Sequence, residues 1–144
     1  MVSLHSVLFL CVILLSSFVG SRPKDFVWKN RILIIQSSVD QAHWLSESLT
    51  NDLAERKLLV FVFGRERLEK SNFKEDIEED DFLKLLPKRD LSSDSWVLIG
   101  LDGGVKHSGY SSPNSEEIFR IIDAMPMRQS ERIRKGNQDN SSTK

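Results

Sequence analysis

The stretch Trp96-Val-Leu-Ile-Gly-Leu-Asp-Gly-Gly-Val-Lys-His-Ser-Gly-Tyr110 constrains the fold most. Val97, Leu98 and Ile99 form a short apolar run, the pattern of a strand buried on both faces. Asp102-Gly103-Gly104 is a turn signal, because these residues accept the positive backbone angles of tight hairpins. Val105 to Tyr110 can then return antiparallel. A strand buried on both faces needs a layer on each side, and the rest of the chain must supply them.

Two further apolar runs supply strands. Ile32-Leu33-Ile34-Ile35 is rich in β-branched residues, and Leu58-Leu59-Val60-Phe61-Val62-Phe63 is apolar throughout. Between them Ala42, Leu45, Leu49 and Leu53 recur at helical spacing, so that helix covers the sheet with one face. Ser38 with Gln41 three residues on has the spacing of a capping box at its start. Strand, helix and strand predict a parallel β-α-β unit. Arg65 to Asp94 is irregular: Phe73, Ile77, Phe82, Leu85 and Leu86 predict a broken helix ahead of Pro87, then a loop through Arg89 to Ser95. After the hairpin, Ser112-Pro113 marks a helix start with Glu116 and Glu117 in the first turn. Ile118, Ile121, Ile122 and Met125 form its apolar stripe, and Pro126 ends or kinks it. The order is β-α-β, irregular α, β-β, α. It predicts an α/β fold, a three-layer sandwich on a four-stranded mixed sheet. It is also the order of the thioredoxin fold core.

Charge and cysteine usage narrow the function. Residues 1–20 carry no Lys, Arg, Asp or Glu. The apolar run from Val7 to Val19, about 13 residues, is too short for a comfortable membrane span and suits the core of a secretory signal. Residues 1–20 therefore read as a signal peptide, cut after Gly20 or Ser21. Residues 21–27 read as a short basic lead-in, 28–135 as the domain and 136–144 as a disordered polar tail. The remaining ~124 residues are enough for one core without staples. The only cysteine, Cys11, lies inside the signal. Thiol catalysis, thiol redox chemistry and cysteine metal sites are excluded once the signal is removed, although the compartment permits disulfides. With 20 basic and 21 acidic side chains, the net charge of −1 argues against general nucleic-acid binding.

Ser95-Trp-Val-Leu-Ile-Gly-Leu-Asp-Gly-Gly-Val-Lys106 and Ile118-Phe-Arg-Ile-Ile-Asp-Ala-Met-Pro-Met-Arg-Gln129 together carry a resemblance. The chain, over about residues 28–132, resembles a family of thioredoxin-like domains of unknown function. That family occurs at the carboxyl end of secreted sushi-repeat proteins and in several copies in a coiled-coil-named extracellular-matrix protein. The resemblance implies a secreted domain of the matrix or cell surface with no established enzymatic activity. This chain has no room for sushi repeats, so functions the larger relatives draw from other parts are not carried over.

Oxidoreductases of the thioredoxin fold keep their cysteines where the first strand meets the first helix. Here Ser37 to Gln41 occupy that place, without a Cys-x-x-Cys motif. Such enzymes also carry a proline just before the third strand, where this chain has Ser93-Asp94-Ser95. Neither catalytic nor cofactor-binding residues nor metal ligands are expected. A hydrolase built on His43 with Ser37 and Asp40 is the weakest alternative, since no nucleophile elbow accompanies it. His43 and His107 read as surface residues without metal-ligand spacing. The block Glu75, Asp76, Glu78, Glu79, Asp80 and Asp81 lacks the alternating pattern of a calcium loop and reads as a solvated face. Arg128, Arg132, Arg134 and Lys135 are the candidate partner-binding cluster. If the helix resumes after Pro126, Arg128, Arg132 and Lys135 share a face. Heparin-like glycan or an acidic matrix or cell-surface protein is the expected partner. Asn140-Ser-Ser is an N-glycosylation acceptor. The runner-up reading is a redox-inactive, client-binding folding factor of the endoplasmic reticulum; the carboxyl end, Asn-Ser-Ser-Thr-Lys, carries no retention signal.

Overall fold

The computed structural model describes residues 19–87 and 94–141. The expected signal, with Cys11, and most of the loop expected before the hairpin lie outside the described residues.

The core is a mixed five-stranded sheet. The strands are β1 (Arg31–Gln36), β2 (Leu58–Phe63), β3 (Leu68–Ser71), β4 (Ser95–Ile99) and β5 (Val105–Gly109), in the order β3-β2-β1-β4-β5. β1 pairs parallel with β2, with Leu33 opposite Val60. β4 runs antiparallel to β1, with Ile34 opposite Val97. β5 runs antiparallel to β4. The helices are α1 (Glu47–Glu55), α2 (Glu79–Leu83), α3 (Ser115–Asp123) and α4 (Pro126–Ser141).

Strand side chains alternate between faces, so each apolar run feeds two cores. Leu33, Ile35, Val60, Val62 and Leu98 pack with Trp44, Leu53, Ile118, Phe119 and Ile122 from the α1 and α3 side. Ile32, Ile34, Phe61, Phe63, Val97 and Ile99 pack on the other face with Phe26, Phe82 and Leu86. Aromatic rings dominate that second layer, with the Phe61 and Phe82 centroids 4.6 Å apart. The layering is the one the apolar runs predict.

Four expectations need correction. The sheet has five strands, not four. β3 escapes a reading by apolar periodicity because Leu68-Glu-Lys-Ser is an edge strand with little to bury. Beyond it the Asn72 side chain continues the edge, accepting from the Val60 amide at 2.8 Å and donating to the Leu58 carbonyl at 3.0 Å.

The capping box does not form. The first turn is a 3₁₀ turn, Ala42–Leu45, and α1 starts only after the extended Ser46. Asp40, just ahead of the turn, accepts from the Ala42 amide at 2.9 Å. The break at Ser46 shifts the apolar register: Trp44 is fully buried, and Ala42, expected in the stripe, is exposed.

α3 is capped by Asn114 rather than started at Ser112-Pro113. Pro126 does end that helix, and it opens α4. Finally, α4 runs on to Ser141, through residues expected to form a disordered tail. Once the first turns of a helix are fixed, each further residue costs little to add, even with no apolar side chain to bury.

Candidate functional site

At the carboxyl end of β1 the chain brings together residues that the sequence leaves far apart. Asp94 stands directly before β4, and its carboxylate faces Ser37 and Ser38. It accepts from Ser37 Oγ at 2.9 Å, the Ser38 amide at 3.0 Å and Ser38 Oγ at 3.3 Å. Gln41, buried beneath them, donates from Nε2 to Ser37 Oγ at 3.3 Å and to Ser112 Oγ at 3.1 Å. The segments Ser37 to Gln41 and Ser93 to Ser95, which the sequence leaves more than 50 positions apart, are therefore joined by hydrogen bonds through Asp94.

The Ser38 amide, followed by the hydroxyls of Ser37, Ser38 and Ser112, holds the Asp94 carboxyl below its ordinary range; partial burial opposes this and loses. A carboxylate so stabilised is a weak base for a serine proton. The Ser37 hydroxyl also accepts from the Val39 amide and from Gln41. His43 is exposed, with its ring beside Trp44, and Asp40 pairs with Lys70 at 2.6 Å. His107 stands on β5 against Trp96. Two members of the hydrolase alternative, Ser37 and Asp40, are thus engaged with other partners. Among the described residues no group of three or more His, Cys, Asp or Glu side chains could hold a metal ion.

The acidic block is not merely a solvated face, as its composition suggests. It seats the amino-terminal segment. Ser21 bridges Ile77, its amide donating to the Asp76 carbonyl at 2.8 Å. The Gly20 amide donates to Glu78 Oε1 at 2.9 Å, and Arg22 pairs with Asp81 at 3.5 Å.

At the opposite end of β1 lies a second cluster, made of charges. Arg31, fully buried, donates to the Arg56 carbonyl at 2.9 Å and to Glu131 at 3.2 Å. Arg56 pairs with Asp52 at 2.8 Å and Asp123 at 2.7 Å, and its guanidinium lies over the Phe119 ring. Arg128 is only 4% exposed and reaches Glu55 at 2.7 Å and Asp123 at 3.2 Å. Burial pushes the Asp123 carboxyl up, but the hydrogen bonds from Arg56 and Arg128 outweigh it and leave it lowered.

This cluster corrects the expected partner-binding face. Arg128 is not available at the surface; it clamps the α3–α4 corner onto α1. Arg132, Arg134 and Lys135 are exposed, and among the described residues no ion pair uses them. Asn140 falls in the last turn of α4. No described helix is long and apolar enough to cross a membrane.

α4 also walls a groove of about 750 Å³, which the sequence did not announce. Trp28, Lys57, Leu101 and Met127 line it with Arg134 and Lys135. Arg132 is not among its lining residues. The sequence signals Trp28 only by its type, an indole directly after the basic lead-in.

Both motifs that carry the family resemblance now have physical roles. Asp102 accepts from the Gly104 amide at 3.1 Å and pairs with Lys106 at 2.6 Å. Gly103 has a φ of 78°, and a Cβ there would stand 2.8 Å from Val27 Cγ2. Asp123 and Arg128 of the second motif form the corner clamp. No curated protein matches the chain. The family described as a domain of unknown function, DUF4174, matches residues 22–131, and the chain belongs to that family.

Proposed function

We propose that this protein is a secreted, non-catalytic, thioredoxin-like binding module of the extracellular matrix or cell surface. It takes a sulfated glycan or an acidic protein surface on the cations of α4. The observation that carries this reading is the split within the basic cluster. Arg128 is consumed in fixing the helix, which leaves Arg132, Arg134 and Lys135 exposed and, among the described residues, without an ion pair, on an element held by its base. Unpaired cations attract polyanions chiefly through charge.

Two further features support it. The order β5-β4-β1-β2, with β4 antiparallel to β1, is the one expected of a thioredoxin core, and β3 is an addition at its edge. The end of β1, where relatives of that fold would do redox chemistry, carries serines bound to a stabilised carboxylate.

The test is retention on immobilised heparin. Replacing Arg132, Arg134 and Lys135 by alanine should abolish retention near physiological salt. Surface changes of this kind shift stability by no more than about 0.5 kcal/mol, so the variant stays folded. Unchanged retention would overturn the reading.

A further inference from the structure

We propose that the groove between Trp28 and α4 is a binding site for a sulfated polysaccharide. The Trp28 indole serves as platform for one sugar ring, and Lys57, Arg134 and Lys135 seat the sulfates. This rests on the reading of α4 above, and adds to it a place, an aromatic contact and a single ligand class.

Trp28 is the observation that sets the site apart. The chain has three tryptophans. Trp44 and Trp96 are buried and contribute to the core, whereas Trp28 is 64% exposed. Its backbone is also in the left-handed region, with φ at 65°, where a bulky side chain is strained and glycine would be at ease. The strain is imposed by neighbours: the Trp28 amide donates to the Leu101 carbonyl at 2.6 Å, and the next two amides both donate to the Phe26 carbonyl. An indole held outward at such a position adds little to the core and costs the backbone something, the combination that marks functional positions.

The charge of the groove selects the occupant. Two carboxylates line it, Glu55 and Glu131, but both already serve buried arginines, at 2.7 Å to Arg128 and 3.2 Å to Arg31. Lys57 keeps only a 3.7 Å contact to Glu131 with half of its side chain exposed, and no ion pair among the described residues takes Arg134 or Lys135. Open cations are therefore spread along the walls instead of converging on one point. That arrangement suits a polymer with repeated negative charges better than one small anion. The flat indole matches the apolar face of a sugar ring, and its N–H remains free for a hydroxyl or sulfate oxygen. An acidic peptide would use the cations and leave the indole idle.

The experiment titrates the full secreted protein with a heparin-derived hexasaccharide while iodide quenches tryptophan fluorescence. Buried Trp44 and Trp96 are shielded, so iodide reads Trp28. Saturable protection from iodide is expected. Trp28→Ala should weaken hexasaccharide binding roughly tenfold, the loss of one aromatic contact, with its salt dependence kept. Trp28→Gly, which suits the positive φ, should weaken binding equally with an unchanged or higher thermal midpoint. That variant covers the case in which alanine perturbs the turn. Binding through α4 with iodide access and Trp28 variants unaffected would overturn the groove while leaving the α4 reading standing. No binding by the parent protein would overturn both. Tighter binding and stronger iodide protection by polyglutamate of matched charge would overturn the glycan assignment.

Discussion

Asp94 shows what a single residue can hide in a sequence. In Ser93-Asp94-Ser95 it reads as the absence of a proline, and Ser38 with Gln41 reads as a capping pair. In the fold these residues are partners across 56 positions, Asp94 and Ser38. Local spacing could not show this, because Ser38 satisfies a helix cap and a long-range carboxylate equally well until the sheet order decides. Gly103 is the opposite case. The Asp-Gly-Gly signal predicts a positive φ, and the residue has one; only the close approach of Val27 needed the fold.

The Asp94 tie predicts a pH dependence. Its folded pKa is lowered, with the hydrogen bond from the Ser38 amide the leading cause. A lowered carboxylate stabilises the fold above the unfolded pKa of about 3.9. That contribution is lost as pH falls through the lower folded value. Asp94→Ala should therefore cost about 2 kcal/mol at pH 7, the scale of hydrogen bonds to a charged group. The gap between variant and parent should hold from neutral pH down to mildly acid conditions and narrow in strong acid. Urea unfolding across that range measures it, and a gap indifferent to pH would contradict the assignment.

At the scale of elements, apolar periodicity made legible what is buried on a regular lattice. β1, β2, β4 and the stripe of α3 could be read from Ile, Leu, Val and Phe. Elements held by polar contacts were not legible. β3 buries little, the 3₁₀ turn before α1 is set by Asp40 and the Ser46 break, and the outer part of α4 exposes every described side chain beyond Glu131. The α3–α4 corner belongs to the same class. The run Ile-Asp-x-Met-Pro-x-Arg-Gln marks it, yet Arg128 reads as one more surface cation until Glu55 and Asp123 are seen beside it. Removing one partner of a buried ion pair leaves the other uncompensated. Arg128→Met should thus cost about 3–5 kcal/mol, while Arg132→Met should cost under about 0.5 kcal/mol. Denaturant midpoints of the two variants measure the contrast. Equal, small losses would mean that Arg128 is a surface residue after all.

At the scale of the whole molecule, β1 separates two ends of different character. Its carboxyl end is tied by hydroxyls and one carboxylate into a closed polar knot. Its amino end carries buried arginines, and beside them the groove and the free face of α4. Composition made the cations visible, but net charge near zero concealed how they divide. The buried Arg31 and Arg128 and the half-buried Arg56 neutralise carboxylates to hold helices in place, while Arg132, Arg134 and Lys135 on α4, with Lys57 nearby, stay exposed. Binding at that surface should be governed by charge and should weaken as salt screens it.

The most direct measurement is affinity capture from conditioned medium with the tagged protein as bait, washed across a salt series. The account predicts recovery of sulfated glycan or its carrier proteins, released at moderate salt and absent when Arg132, Arg134 and Lys135 are alanine. Retention of the protein inside the cell, with unfolded secretory chains captured and resistant to salt, would contradict the account and favour a folding factor.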